Sequence, residues 1–297
     1  MNTVRINFPS NRVRDIERHL RTELSPFYPD TEIAAFTALL FEAYLGWDKA
    51  HLLLHRDQTI NQSDLLRLHW AVERLKRQEP IQYIIGHTDF CGIRLHVAPG
   101  VLIPRPETEE IVLRTLAQLP SATPSLTILD LCTGSGCIAL ALAAHRPSSD
   151  VYGVDISPEA LAIAERNAHD NHLRATFLSC DILHDEPALP VGLFDLIISN
   201  PPYIRQSERT TMSPNVLDHE PAQALFVPDS DPLLFYRAIG QYALRHLAPK
   251  GTLVLEINEA LGNDTCLLLQ QMGFATQLHK DFHDKDRSIT AQLHTSC

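Results

Sequence analysis

Two short segments contain residue types whose spacing suits chemistry. Asn200-Pro201-Pro202-Tyr203 follows the apolar run FDLIIS. An amide or arylamine nitrogen is a poor nucleophile because its lone pair is delocalised. Two acceptors taking its N–H hydrogens would orient it and raise its electron density. Asn200 offers a side-chain oxygen, and Pro201 a carbonyl on a backbone of fixed φ with no competing N–H. Tyr203 adds a π face for a planar group or a nearby sulfonium. Lining up nitrogen, methyl and sulfur is a proximity and orientation effect, and no strong base is needed because an N-alkylated amide cation is itself very acidic. The plainer alternative is a Pro-Pro turn that merely ends a strand.

The second segment is Asp130-Leu131-Cys132-Thr133-Gly134-Ser135-Gly136, between an apolar run and CIALALAAH. Glycines there let a backbone pass close to a ligand. Gly134, Gly136 and Ala139 satisfy G-x-G-x-x-G/A, and Asp155, 21 residues after Gly134, can accept from ribose hydroxyls. The pattern specifies a nucleotide-like ligand but not which one, so a nicotinamide oxidoreductase stays open at this point. Asp181 ends a third apolar segment, where it or Ile182 could touch an adenine; a solvated loop acid is the alternative.

These segments need a scaffold. After Pro124, LTILDL, VYGVD, ATFLS, FDLIIS and TLVLEI read as strands alternating with helices in CIALALAAH, SPEALAIAERNAHDN and DPLLFYRAIGQYALRHL. Ser157 suits an N-cap with Pro158 after it. FATQLH and ITAQLH read as two further strands without a helix between them. Such alternation predicts a largely parallel sheet covered on both faces, and ligands bind at its strand C-terminal ends. Residues 12 to about 85 read as helical: Val13, Ile16, Leu20 and Leu24 share one face, Asp30 or Thr31 could cap a second helix ended by Gly46, and Ser63 a third. HTDFCGIRLHVAPGVLIP reads as a hairpin joining two domains, and Glu107 to Leu119 as a helix.

The charge balance limits the partners. The chain of 297 residues has net charge −11; residues 1–90 carry 11 basic against 12 acidic side chains, the remainder 14 against 24. A surface gripping phosphates is normally basic, so a nucleic-acid substrate is disfavoured. No apolar run reaches the ~18–20 residues that span a bilayer, and MNTVRINFPSNRVRD lacks a secretory core, so a cytoplasmic chain is expected. Six scattered cysteines without a CxxC pair read as free thiols. His51 and His55 have HxxxH spacing but no third ligand, which reads as a helix face rather than a metal site.

The Asn-Pro-Pro-Tyr loop resembles that of amino methyltransferases acting on planar nitrogens of adenine, guanine or glutamine. Further stretches narrow the resemblance to the HemK-type release-factor glutamine methyltransferases: Glu79 to Gly86, Phe90-Cys91-Gly92, Leu102 to Glu109, His219-Glu220-Pro221 with Ala224-Leu225, and Lys280-Asp281 with Arg287. The resemblance runs from about residue 10 to the end. It implies an α/β fold: a seven-stranded Rossmann-like class I methyltransferase domain (105–297), a small N-terminal helical bundle for substrate recognition (1–85) and a β-hairpin linker (86–104). It implies S-adenosylmethionine as methyl donor and S-adenosylhomocysteine as product, with Cys132, Thr133, Gly134, Ser135, Gly136, Asp155, Asp181, Ile182 and Asn200 at the cofactor. Asn200, Pro201, Pro202 and Tyr203 would hold the glutamine, with Asn200, Pro201 and Tyr203 the catalytic set and no metal. The implied partner is a class 1 peptide chain release factor, methylated on the glutamine of its Gly-Gly-Gln motif by a monomeric enzyme that uses no membrane or nucleic acid.

The related ribosomal-protein glutamine enzymes tend to carry Pro-Arg-Ser where this chain has Pro-Arg-Pro-Glu-Thr-Glu. Nucleic-acid N6-adenine or N2-guanine enzymes share the loop, but the acidic catalytic half weighs against them. Cys132 stands where the family usually has glycine, and Asp231-Pro232 where it has Asp-Gly. Arg105 and Glu107 either shape the pocket or only set the helix entry, and His219 and Glu220 read as braces.

Overall fold

The computed structural model describes residues 8–119 and 125–294; residues 1–7, including the start of the segment read as lacking a secretory core, and Cys297 lie outside them. The described chain divides into two compact units, one of residues 1–86 with Ser213–His219 and one of His87–Met212 with Glu220–Cys297.

The first unit is helical: α1 (Val13–Leu24), α2 (Asp30–Leu45), α3 (Lys49–Leu54), α4 (Gln62–Leu75), α5 (Ile81–Ile85) and the single turn α9 (Pro214–Leu217). Val13, Ile16, Leu20 and Leu24 are all fully buried, as their spacing predicts, and they pack with Phe36, Leu40, Phe41, Leu68 and Leu75. Two cap expectations need correction. Pro29, with extended backbone, precedes α2, so Asp30 is its first helical residue rather than its cap. Asn61, not Ser63, caps α4, accepting from Asp64 N–H at 2.8 Å; the chain enters the helix two residues earlier and leaves Ser63 inside the first turn. His51 of α3 and His55, which follows the helix, stack at 3.9 Å between ring centroids.

The second unit opens with the hairpin β1 (His87–Phe90) and β2 (Ile93–His96). Then follow α6 (Pro106–Gln118), β3 (Thr127–Leu131), α7 (Cys137–His145), β4 (Asp150–Asp155), α8 (Pro158–Asp170), β5 (Thr176–Ser179), β6 (Phe194–Ser199), β7 (Ile204–Arg205), β8 (Phe226–Val227), α10 (Leu234–His246), β9 (Leu247–Glu256), α11 (Gly262–Gln271), β10 (Phe274–Lys280) and β11 (Asp286–Leu293). The seven-stranded sheet runs β10-β11-β9-β6-β3-β4-β5, with β11 antiparallel to both neighbours. This is the class I methyltransferase arrangement expected from the alternation and the resemblance. The fully buried strands are near-continuous apolar runs because helices cover both faces. Ile128, Leu196, Ile198 and Val254 face α7 on one side; Leu129, Ile197, Leu253 and Leu255 face α10 and α11 on the other. The helix α11 and the short pair β7/β8 were not foreseen.

Ser157 caps α8, accepting from Ala160 N–H at 3.2 Å, with Pro158 next. Within β4, Gly153 lets β5 and the Gly-rich loop approach: a Cβ there would lie 2.6 Å from the Phe177 ring and 2.9 Å from the Thr133 hydroxyl. Neither neighbour is at the end of a long flexible chain. Gly153→Ala should therefore destabilise by about 1–3 kcal/mol, lowering the melting temperature by roughly 3–10 °C. An unchanged melting curve would show that β5 yields at no cost.

Candidate active site

Three carboxylates stand at or near the C-terminal ends of sheet strands. Asp130, in β3, is fully buried. One oxygen accepts from the Thr133 hydroxyl at 2.5 Å and from Ala139 N–H at 3.2 Å; the other has no hydrogen-bond partner among the described residues. Burial pushes the carboxyl up to about 7, against those two donors. Asp155 ends β4. Its oxygens accept from Gly134 N–H at 2.8 Å and Ser157 N–H at 2.9 Å, and burial raises its pKa too. Glu256 ends β9 and is 2% exposed. It accepts from Thr108 Oγ1 at 2.6 Å and from the Tyr203 hydroxyl at 3.1 Å. Burial raises its pKa while those hydroxyls and the charge of Arg287 oppose the rise.

The Gly-rich loop is bent tightly. Cys132 has φ 60° and Gly134 φ 56°, so Cys132 adopts the left-handed backbone with a Cβ in place, a strain on the order of 1–2 kcal/mol. Gly136 begins α7 at φ 79°, where a Cβ would sit 3.0 Å from Ala164 and 3.2 Å from Phe177. The turn between β3 and α7 is thus fitted against α8 and β5. Asn167 on α8 holds it from the far side: its amide donates to Ser135 O at 2.9 Å and His96 O at 3.1 Å, and its oxygen accepts from His96 N–H at 2.6 Å.

A cleft of about 390 Å³ opens at the strand ends, lined by the segments at 100–102, 154–157, 180–183 and 221–235 with parts of the two motifs. That volume is in the range of small-molecule sites. Of the residues expected at the cofactor, Cys132, Gly134, Asp155, Asp181, Ile182 and Asn200 line it. Thr133 and Ser135 are buried and do not; nor does Gly136. Of the loop expected to hold the amide, Asn200 and Pro202 line the cleft, while Pro201 is buried and the Tyr203 hydroxyl is turned to Glu256. Burial, and then the nearby Glu256 charge, keeps that phenol far above its ordinary pKa, so it acts as a donor.

The Asn200 amide donates to Thr108 Oγ1 at 3.2 Å. Asn258 donates to Tyr203 O at 3.2 Å and to Glu208, bracing the end of the loop. Sequence reasoning did not single out Thr108, Asn167, Glu256 or Asn258. Glu256 could have been found by the argument applied to Asp155, since it too ends an apolar strand. Arg105 bonds Glu220 at 2.5 Å, and the other Glu220 oxygen accepts from Ile103 N–H at 3.1 Å, so Glu220 is a brace for the 102–105 segment, as expected. Neither Arg105 nor Glu107 lines the cleft. His219 belongs to the helical unit, where its ring is 3.1 Å from Arg77 O. Asp231 forms a two-pronged pair with Arg237 at 2.8 and 2.9 Å, holding the entry to α10.

A carboxylate at a strand end, a glycine turn beside it at Gly134 and an apolar wall at Ile156 and Ile182 together fit a nucleoside carrying a ribose diol. Asp155→Ala should weaken S-adenosylmethionine binding by about tenfold to hundredfold, the worth of one or two charge-assisted hydrogen bonds; an unchanged dissociation constant by calorimetry would remove Asp155 from the ribose. Asp130 predicts a pH effect. Its carboxyl is raised above the unfolded value of 3.8, so the folded chain keeps a proton that the unfolded chain has lost, and stability from this group falls as pH rises from about 4 to about 7. The melting temperature of Asp130→Asn relative to wild type should climb between about pH 4 and about pH 7. A constant difference would show that Asp130 does not titrate there.

Comparison with known proteins agrees with this architecture. A family model described as the methyltransferase small domain matches residues 109–225, and one described as the PrmC N-terminal domain matches residues 18–86. The release factor glutamine methyltransferase of Flavobacterium psychrophilum is 42% identical over 269 residues, covering 90% of this chain and 94% of that protein. That of Bacteroides thetaiotaomicron is 40% identical over 277 residues, covering 93% and 98%. Among solved structures, a 16S rRNA N2 methyltransferase of Thermus thermophilus in complex with AdoMet and guanosine shares the fold, with TM-score 0.51 and 21% identity over 70% of this chain and 50% of that one. With this extent of identity along nearly the whole chain, the protein belongs to the release factor glutamine methyltransferase family and is a methyltransferase rather than a nicotinamide oxidoreductase.

Proposed function

We propose that this chain transfers a methyl group from S-adenosylmethionine to the side-chain amide nitrogen of the glutamine in the Gly-Gly-Gln motif of class 1 peptide chain release factors. S-adenosylhomocysteine leaves as the second product. The observation that carries this reading is the position of Asn200: it follows the central strand β6 and lines the same cleft as Gly134 and Asp155.

When bound, S-adenosylmethionine supplies an electrophilic methyl on a positively charged sulfur. Asp155 takes the ribose hydroxyls, and Ile182 with Asp181 flanks the base. The oxygen of Asn200 and the carbonyl of Pro201 accept the two hydrogens of the glutamine NH2. Held this way by Asn200 and Pro201, the nitrogen lone pair would be turned to the methyl that bound S-adenosylmethionine would supply, the N–C bond forming as the C–S bond broke with its electron pair left on sulfur. The methylated amide then loses a proton to solvent without a dedicated base, and orientation supplies most of the acceleration.

In the same reading, the helical unit at residues 1–85 recognises the release factor and the 86–104 hairpin links it to the catalytic domain. The chain works as a monomer in the cytoplasm, where its substrate is found. No helix among the described residues is long and apolar enough to cross a membrane. The release factor is favoured over a nucleic acid because residues 91–297 carry 14 basic against 24 acidic side chains.

The test uses labelled S-adenosylmethionine with release factor, release factor carrying Gln→Ala in Gly-Gly-Gln, and RNA or DNA. Label on the first alone is expected; label on nucleic acid alone would overturn the proposal. Asn200→Ala should cut turnover by at least about a thousandfold, as loss of a key transition-state contact does, while cofactor affinity stays within a few-fold. Retained turnover would refute the acceptor role.

A further inference from the structure

A carboxamide on the wall of a cleft can present either its oxygen or its NH2, and only one of these suits an amide substrate. The direction of donation in the chain behind Asn200 decides which. Glu256 is buried at the end of β9 and takes hydrogens on both oxygens, from Thr108 at 2.6 Å and from the Tyr203 hydroxyl at 3.1 Å. Ionised, the form that the Arg287 charge and the two hydroxyls favour against burial, Glu256 has no hydrogen to give, so Thr108 donates to it. The threonine hydroxyl has a single hydrogen; once that is committed, its oxygen has only lone pairs for Asn200. At 3.2 Å the Asn200 group facing Thr108 is therefore the NH2. Thr108 is 2% exposed and does not line the cleft, so the NH2 is drawn away from the cleft and the oxygen is left to face it.

We propose that Thr108, backed by Glu256, is a positioning residue that locks the Asn200 carboxamide with its oxygen toward the substrate, and so sets the preference for a glutamine amide over a glutamate carboxylate. This rests on the reading of Asn200 as the holder of the substrate amide. A glutamine NH2 meets an acceptor. A glutamate side chain meets an oxygen it cannot satisfy, and burying an unsatisfied acceptor is costly. Were Asn200 free to turn over, its NH2 would donate to that carboxylate and the discrimination would fade. Discrimination at the substrate amide therefore originates two hydrogen bonds behind Asn200, at a carboxylate 148 residues from Thr108 along the chain.

The experiment uses the full-length protein, with release factor as substrate and a release factor carrying Gln→Glu in Gly-Gly-Gln as competitor. Thr108→Val keeps the shape and removes both the donor to Glu256 and the acceptor for Asn200. It should lower kcat by about tenfold to a hundredfold, with S-adenosylmethionine affinity within about twofold of wild type, and strengthen inhibition by the Gln→Glu factor by at least about fivefold. Thr108→Ser restores the hydroxyl and should return both values to near wild type. A purely structural role would lower activity without tightening the competitor. Should Thr108→Val fail to fold, Thr108→Ala is read on the same two quantities. Unchanged competitor affinity in the folded hydroxyl-less variant, with Asn200→Ala inactive, overturns the inference and leaves the substrate reading standing. If Asn200→Ala is itself fully active, the substrate reading has failed first.

Discussion

The orientation of the Asn200 carboxamide at the cleft begins with one buried carboxylate, Glu256. Glu256 has no solvent to satisfy it, so its oxygens recruit the hydroxyls of Thr108 and Tyr203. Each recruitment sets a direction: Thr108 becomes an acceptor for Asn200, and the phenol of Tyr203 is drawn down beside Glu256, which places the end of the loop. A buried polar network is useful when every member is satisfied. The cost of keeping Glu256 charged is offset from a further layer. Arg287, itself held by Asp281 at 2.9 Å, contributes a favourable charge to it. The C-terminal Lys280-Asp281…Arg287 pattern, unplaced in the sequence, thereby acquires an electrostatic role.

The three carboxylates at the strand ends, Asp155 half-buried and the other two fully buried, differ in what they bind. Glu256 is matched by hydroxyls and a guanidinium and organises the amide loop. Asp155 is matched by the backbone N–H groups of Gly134 and Ser157, which fasten the Gly-rich turn to the end of β4, and it lines the cleft. Asp130 is matched on one oxygen alone, and its partners, Thr133 and Ala139, belong to the turn and to α7. It ties the beginning of the turn to its end. Its raised pKa is the electrostatic cost of that tie in a site without solvent.

The strands and most helices were legible because burial on two faces forces apolar runs, and alternating cores force helical spacing. Cap chemistry was legible at Ser157-Pro158, where two local signals agree, but not at α2, where Pro29 takes the cap position without a side-chain bond, or at α4, where Asn61 caps in place of Ser63, a residue of equal propensity. The site was read only halfway. Asn200, Gly134 and Asp155 follow strands, so a topological rule placed them together. Thr108 lies in a Pro-Glu-Thr-Glu run that looks like an ordinary helix start, and Asn167 lies inside α8 like any polar helical residue. Their partners are 92 and 32 to 71 residues away. No local pattern encodes such pairings, because only the closed sheet brings them within hydrogen-bond distance.

That closure is a matter of register. Ser199 of β6 pairs with Leu131 of β3 on one side and Leu255 of β9 on the other. The residue after each of these is Asn200, Cys132 and Glu256, so Asn200, the Gly-rich turn and the buried carboxylate stand in one row across the central strands. Val154 pairs with Leu131 in the next strand, which extends the row to Asp155. Parallel pairing aligns strand ends in this way only when the strands stop together, and side chains alternate faces, so a slip of one residue would turn Glu256 and Asn200 to opposite faces. The apolar residues just before the row, Leu131, Val154 and Leu255, are all buried in one cluster on one face of the sheet. Each is thus held by a burial preference of about 1.5–3 kcal/mol, applied one position before Cys132, Asp155 and Glu256. The hydrophobic pattern that makes the strands recognisable therefore also sets the alignment of the polar groups, and the site inherits its precision from the core.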